Sequence, residues 1–164
     1  MEKQFADIYS KLANKIVSMI PVQWNKLYYL GEVENNKSSW SSVFYFESKD
    51  DNEIVKSHSI PEKYEVSEEI YEDLLNEVNE LLLALYECFQ KNEQELWHQV
   101  SLSLDNTGKF NIVYLYDIIN DNDGGQVKRE LVWAYETFGF MPNEGSYSRK
   151  IIDKYISDKQ YKNY

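Results

Sequence analysis

One segment of the chain, residues 67–91, has the strongest helical periodicity in the sequence. At 100° per residue, large apolar side chains gather on one side of a helix and acidic side chains gather on the other. Ser67 can cap the first turn, where Glu68 and Glu69 lie at the positive end of the helix dipole. The pattern predicts a long helix that covers a sheet. Its predicted apolar side consists of Ile70, Tyr71, Leu74, Leu75, Val78, Leu81, Leu82, Leu85 and Phe89.

The other side of this predicted helix is a stripe of carboxylates with little compensating positive charge. Leu83 is predicted to project from the middle of the stripe. A solvated charged face is the common explanation of such a pattern, but an exposed leucine among carboxylates is also typical of the centre of a protein-binding patch. Both interpretations are open at this point. The predicted acidic side consists of Glu69, Glu72, Asp73, Asn76, Glu80 and Glu87.

Shorter periodic segments predict the rest of the fold. Further helices are predicted at residues 2–19, 126–138 and 148–157, with a frayed end at 161–164. Strands are predicted at residues 24–33, 39–47, 53–59, 97–104 and 110–116. The order α-β-β-β-α-β-β-α-α indicates a single α+β domain over residues 1–164 with an antiparallel meander sheet. The short, charged third strand is expected near an edge.

The negative charge is concentrated in one part of the chain. The net charge of the 164 residues is −11, and residues 31–95 alone hold 17 carboxylates and 5 lysines. Such a field speeds encounter with a basic partner and repels nucleic acid. We therefore expect a protein partner rather than DNA or RNA. The charged N-terminus and the absence of a membrane-length apolar run predict a cytoplasmic protein, with which the single Cys88 is compatible.

The sequence contains no recognisable catalytic or cofactor motif. His58, His98 and Cys88 do not have metal-ligand spacing, and no glycine-rich phosphate loop or nucleophile motif is present. The motifs therefore give no signal of an enzyme, without excluding one, and we expect no metal and no cofactor. Core packing is the expected role of most of the four tryptophans, Trp24, Trp40, Trp97 and Trp133.

One loop, residues 117–125, partly matches a calcium-binding loop. Asp121, Asp123, Gly124 and Glu130 match an EF-hand, but Ile119 occupies the first position, which requires an aspartate. A polar loop that caps the helix beginning near residue 126 is the favoured interpretation.

Four stretches together resemble the YezG-like family of bacterial immunity proteins, and they cover nearly the whole chain. Their order and spacing carry the resemblance, since no single motif is specific. It implies a small cytoplasmic, non-enzymatic protein of Gram-positive bacteria. Such a protein binds the toxic C-terminal nuclease domain of a polymorphic toxin of the type VII secretion kind. The stretches are residues 16–24; Ile60, Pro61, Tyr64, Val66 and Ser67; Trp97, residues 108–110, Tyr114, Tyr116 and Asp117; and Arg129, Trp133, Tyr135, Phe138, Gly139 and Pro142.

Charge suggests where such a partner would bind. Nuclease active sites are basic, so the carboxylate stripe can meet that surface, with Leu83 as an apolar anchor. The candidate residues of this surface are Glu69, Glu72, Asp73, Glu80, Leu83 and Glu87. The alternative contact is the sheet edge or the 117–125 loop, with Asp117, Asp121 and Asp123.

Two competing functions stay open in the sequence. One is a non-catalytic interaction module without a nuclease partner. The other is a small-ligand binding domain or enzyme, which requires a buried polar pocket. The sequence does not fix the oligomeric state.

Overall fold

The computed structural model describes residues 2–162, except the side chains of Asn36 and Asp121. The chain divides into two compact units, the first ending at Ile118 and the second beginning at Ile119. The prediction of a single domain stays a prediction. The described part of the first unit contains α1 (Glu2–Met19), β1 (Trp24–Val33), β2 (Trp40–Ser48), β3 (Ile54–Lys56), α2 (Ile60–Tyr64), α3 (Glu68–Lys91), β4 (Gln99–Asp105) and β5 (Phe110–Leu115). The second unit contains α4 (Gln126–Phe138) and α5 (Tyr147–Lys162).

The predicted α+β class and element order are confirmed, with one short helix added. Residues 60–64 form α2, for which Pro61 supplies the helical φ of the first turn. Glu65 then adopts φ 55°, a left-handed conformation that ends α2 before α3 begins.

All neighbouring strands are antiparallel, in the order β3-β2-β1-β4-β5. The first three strands form a meander, whereas the β4–β5 hairpin joins the sheet beside β1. The third strand lies at an edge, as predicted, but it has three residues instead of the expected seven. It ends early because a 3₁₀ turn starts at Ser57, whose hydroxyl accepts a hydrogen bond from the Phe44 amide at 3.2 Å. The other edge is β5.

Helices α1 and α3 run antiparallel over one face of the sheet. The Phe5 and Phe89 rings lie 4.8 Å apart at one end of the helix pair, and Lys15 contacts Glu77 further along. In the middle of the pair, α3 lies very close to β1. A Cβ at Gly31 would come within 2.5 Å of Leu82 Cδ1, so this approach requires glycine.

The course of α3 spans the sheet. Near its start, Tyr71 contacts His58, which follows β3, and near its end Phe89 packs against Tyr114 of β5 at 4.9 Å between ring centroids. The buried side chains contributed by α3 are Tyr71, Val78, Leu82, Leu85, Tyr86, Cys88 and Phe89. The prediction that α3 covers the sheet is therefore confirmed.

Two positions on α3 differ from the prediction. Ile70, expected on the apolar side, is 56% exposed because α1, which covers this side further along, ends at Met19. Leu83, expected among exposed carboxylates, is half-buried and packs against the core. The turn after β1 lies beside this part of α3, as the ion pair between Lys37 and Glu87 shows.

The prediction that most of the tryptophans pack in the core is confirmed, with one exception. Trp97 and Trp133 are buried and Trp24 is half-buried, but Trp40 is 46% exposed at the start of β2.

In the second unit, α4 has the predicted bounds and ends at Gly139 with φ 72°. Helix α5 is longer than the predicted 148–157 and continues to Lys162, so the expected fraying at residues 161 and 162 is wrong. Residues 163 and 164 lie outside the described part. The extension is held by Glu136 of α4, which accepts hydrogen bonds from Tyr155 and Lys159, each at 2.6 Å.

Candidate functional site

The exposed side of α3 places four predicted site residues together. Glu69, Glu72, Asp73 and Glu80 are all exposed, and none of them forms an ion pair with any residue in the range 2–162. Their spacing of three, four and seven residues puts them on one side of the helix. We call these four residues the acidic surface.

The start of α3 fixes the position of the acidic surface. The Ser67 hydroxyl accepts a hydrogen bond from the Ile70 amide at 3.3 Å, as an N-cap does. His58 Nδ1 and the Tyr71 hydroxyl are 2.8 Å apart and join the helix to the turn after β3. Burial raises the pKa of Tyr71, and desolvation together with Lys56 lowers the pKa of His58. Both shifts favour the neutral forms, so the contact does not add charge beside the acidic surface.

The last two predicted residues of α3 are held by the fold. Glu87 accepts a hydrogen bond from Lys37 Nζ at 3.1 Å, and Leu83 is packed against the core. Sequence patterns did not identify Lys37 as the partner of Glu87, or Lys15 as the partner of Glu77 at 3.1 Å. Their partners are far away in sequence, so spacing along the chain could not identify them. The free negative charge is consequently confined to the N-terminal part of α3.

A surface groove of about 500 Å³ runs between α1 and α3. Its lining includes the Lys15–Glu77 ion pair, and Glu80 of the acidic surface stands at its side. The groove is open to solvent, unlike the buried polar pocket that a small-ligand site requires. It therefore gives no support to the small-ligand interpretation.

The alternative candidates, Asp117 and Asp123, belong to different units, and the side chain of Asp121 lies outside the described part. Asp117 is exposed. Asp123 accepts hydrogen bonds from Arg129 Nη1 at 2.8 Å and from the Gly125 amide at 3.1 Å. Burial raises the pKa of Asp123, but these hydrogen bonds outweigh it, so the net pKa is below its usual value. The Asp123 carboxylate thus holds the loop before α4 in shape.

Two carboxylates of the partial calcium motif, Asp123 and Glu130, are held in other contacts. Glu130 is buried on α4 and accepts a hydrogen bond from Gln126 at 3.0 Å. Among the residues that the structure describes, no group of three His, Cys, Asp or Glu side chains is arranged to hold a metal ion.

Comparison with known families decides what kind of protein carries this surface. The family model "Immunity protein YezG-like" matches residues 5–152. The chain belongs to the YezG-like immunity protein family. The predicted resemblance is therefore confirmed. Immunity proteins bind a cognate toxin and inhibit it without catalysis, so this family member is not an enzyme.

Individual relatives match almost from end to end. Immunity protein YezG of Bacillus spizizenii is 36% identical over 97% of both chains. Immunity protein YezG of Bacillus subtilis is 32% identical over 84% of this chain and 90% of its own. Type VII secretion system protein EsaG of Staphylococcus aureus is 27% identical over 96% of both chains. Within residues 2–162, no helix is long and apolar enough to cross a membrane.

Proposed function

We propose that this immunity protein neutralises the C-terminal nuclease domain of a cognate secreted toxin, in the cytoplasm of the producing cell. The observation that carries the proposal is the acidic surface on α3, whose four carboxylates are exposed and without ion pairs within residues 2–162. One relative is named as a type VII secretion system protein, which supports export of the toxin by such a system.

The proposed mechanism is electrostatic substitution. A nuclease holds nucleic-acid phosphates with lysine and arginine side chains, so its binding site is a basic surface. Carboxylates at helical spacing can contact those cations, occupy the site and keep phosphates out. Because the four side chains are already exposed and unpaired, binding does not require existing ion pairs to break.

Titration of the toxin domain tests the proposal. Purified protein is added to the nuclease encoded beside its gene, and DNA cleavage is measured over a range of salt concentrations. We expect stoichiometric inhibition that weakens as salt rises, because salt screens exposed charges. Full cleavage in the presence of excess protein, with no complex in a pull-down, would favour an interaction module without a nuclease partner.

Charge reversal tests the proposed surface. In the variant Glu72→Lys, Asp73→Lys and Glu80→Lys, association should slow by about 10- to 100-fold at low salt, since steering by the acidic field is reversed. The matched control, Glu95→Lys, Glu144→Lys and Asp158→Lys, changes the net charge equally at exposed positions outside α3. It should slow association much less. Equal slowing in both variants, or unchanged affinity in the first, would remove α3 from the interface.

A further inference from the structure

The two edges of the sheet are protected to different degrees. At one edge, β3 has three residues and is followed at once by a 3₁₀ turn. At the other edge, β5 has six residues, FNIVYL, with no proline and no charge, and it pairs with β4 without a register shift. Natural edge strands are usually short, charged or bulged, because an open edge pairs with other strands. The β5 edge has none of these protections.

The side chains of β5 are also open to solvent. Phe110 is 39% exposed, Val113 45% and Leu115 38%, and Tyr116, just beyond the strand, is 42% exposed. Apolar side chains thus lie on both faces of an edge whose outward backbone groups pair with no strand in the described part of the chain. This combination is typical of a strand that accepts a neighbour.

The hydrogen-bond pattern shows which backbone groups face outward. The Asp105 amide donates to the Lys109 carbonyl at 3.0 Å, so Lys109 points its backbone groups toward β4. In an antiparallel pair this direction alternates along the strand. The amides and carbonyls of Phe110, Ile112 and Tyr114 therefore point away from the sheet and are available to a further strand.

The charges that flank β5 make the strand complementary to itself. Lys109 and Asp117 are both exposed, and each is four residues from Val113. Antiparallel pairing of two β5 strands about Val113 brings the Lys109 end of each strand to the Asp117 end of the other, where both charges lie just beyond the strand. The same register places Ile112 opposite Tyr114, which are two of the residues with outward-facing backbone groups. Within one chain the two charges lie beyond opposite ends of the six-residue strand, which is about 20 Å long, so they do not pair with each other.

We propose that this edge binds a second copy of the chain, forming a two-fold dimer with a continuous ten-stranded sheet. The proposal does not depend on the identity of the toxin. Because Tyr71, beside Glu72, contacts His58 in the turn after β3, the N-terminal end of the acidic surface lies at the side of the sheet opposite β5. Each copy in the dimer therefore keeps its acidic surface free.

Sedimentation of the full chain tests the dimer. We expect the native chain to form dimers. Their dissociation constant should rise at least tenfold in Val113→Lys, because this substitution places two like charges opposite each other at the two-fold axis. The matched control is Val127→Lys, the same substitution at a 58% exposed position on α4, and it should leave dissociation unchanged. Thermal melts check that both variants fold. A native chain that stays monomeric at about 0.5 mM would overturn the proposal.

Charge exchange tests the register. Lys109→Asp and Asp117→Lys each turn two attractive pairs into two repulsive pairs, so each variant alone should dissociate about tenfold more readily. An equimolar mixture of the two variants should recover dimers. In the mixed dimer, the introduced aspartate of one copy faces the introduced lysine of the other. The other charge pair is the native Lys109 with the native Asp117. Failure of the mixture to recover dimers would overturn this pairing. If the native chain is always monomeric and these variants lose only toxin binding, the β5 edge would instead be assigned as the binding site of a toxin strand.

Discussion

Two acidic regions of this protein have similar composition and different roles. On α3, four carboxylates face solvent without ion pairs within residues 2–162. In the loop before α4, Asp123 is bound to Arg129 and to the backbone of its own loop. The fold uses the charge of Asp123, whereas it leaves the four charges of the acidic surface free of ion pairs within residues 2–162. An acidic stretch in a sequence is therefore a candidate binding surface only where the fold supplies no cation to it.

The largest effect that separates the two regions is expected in toxin binding. Neutralising three of the four residues of the acidic surface, with Glu72→Gln, Asp73→Asn and Glu80→Gln, should slow association with the toxin about tenfold at low salt. It should also weaken the salt dependence of that association. Thermal stability should change little, because these side chains make no ion pairs in the described part. Stopped-flow association and thermal melts measure the two quantities. A large loss of stability would show that the fold uses these charges after all.

A smaller effect is expected in stability when Asp123 is changed. Asp123→Asn should lower the free energy of unfolding by about 1–2 kcal/mol, because the charge-assisted bond to Arg129 is lost. Urea denaturation measures this change. Glu144→Gln, at an exposed position of the same unit, is the control and should stay within about 0.5 kcal/mol of the native chain. Toxin association should be the same in both variants, and a slower rate in Asp123→Asn would make the loop part of the interface.

The difference in the free energy of unfolding between Asp123→Asn and the native chain should depend on pH. The pKa of Asp123 is lowered on folding, so its ionised form stabilises the folded state above the unfolded pKa of about 4. That stabilisation is lost as pH falls through the folded pKa. Urea denaturation of both chains should give a stability difference that is constant near pH 7 and shrinks below about pH 4. A constant difference down to about pH 2 would mean that the Asp123 charge does not stabilise the fold.

The smallest effect is expected at the ion pair beside the acidic surface. Lys37→Ala releases Glu87, adding one free carboxylate to α3, and should raise the association rate about twofold. Its cost in stability should be below about 1 kcal/mol, since the pair is partly exposed. Stopped-flow association at low salt measures the rate, with Lys49→Ala, an exposed lysine outside α3, as the control for net charge. Equal acceleration in both variants would mean that only total charge matters.

The sequence predicted the elements whose signals are local. Residues 24–33 and 126–138 have the predicted bounds, because strand alternation and a glycine stop mark them. The pairing of β4 with β1 was not predicted, since it joins strands separated by α3. Short-range periodicity carries no information about such a pairing.

Sequence patterns predicted the exposure of those site residues whose exposure depends only on their position on the helix. Glu69, Glu72, Asp73 and Glu80 are exposed as expected, but the positions of Leu83 and Glu87 depend on the hairpin turn that lies beside them. Lys37 of that turn is fifty residues from Glu87. Helical spacing identifies which residues share a side of a helix, and it does not identify what else contacts that side.

The two sides of α3 differ in how freely they can evolve. The inner side is constrained by close packing, most tightly where Leu82 meets Gly31. The four carboxylates outside make no ion pair within residues 2–162, so folding places little constraint on substitutions among them. If these carboxylates bind the toxin as we propose, a lineage can follow a changing toxin by mutating one side of one helix, while the scaffold that presents it is inherited intact.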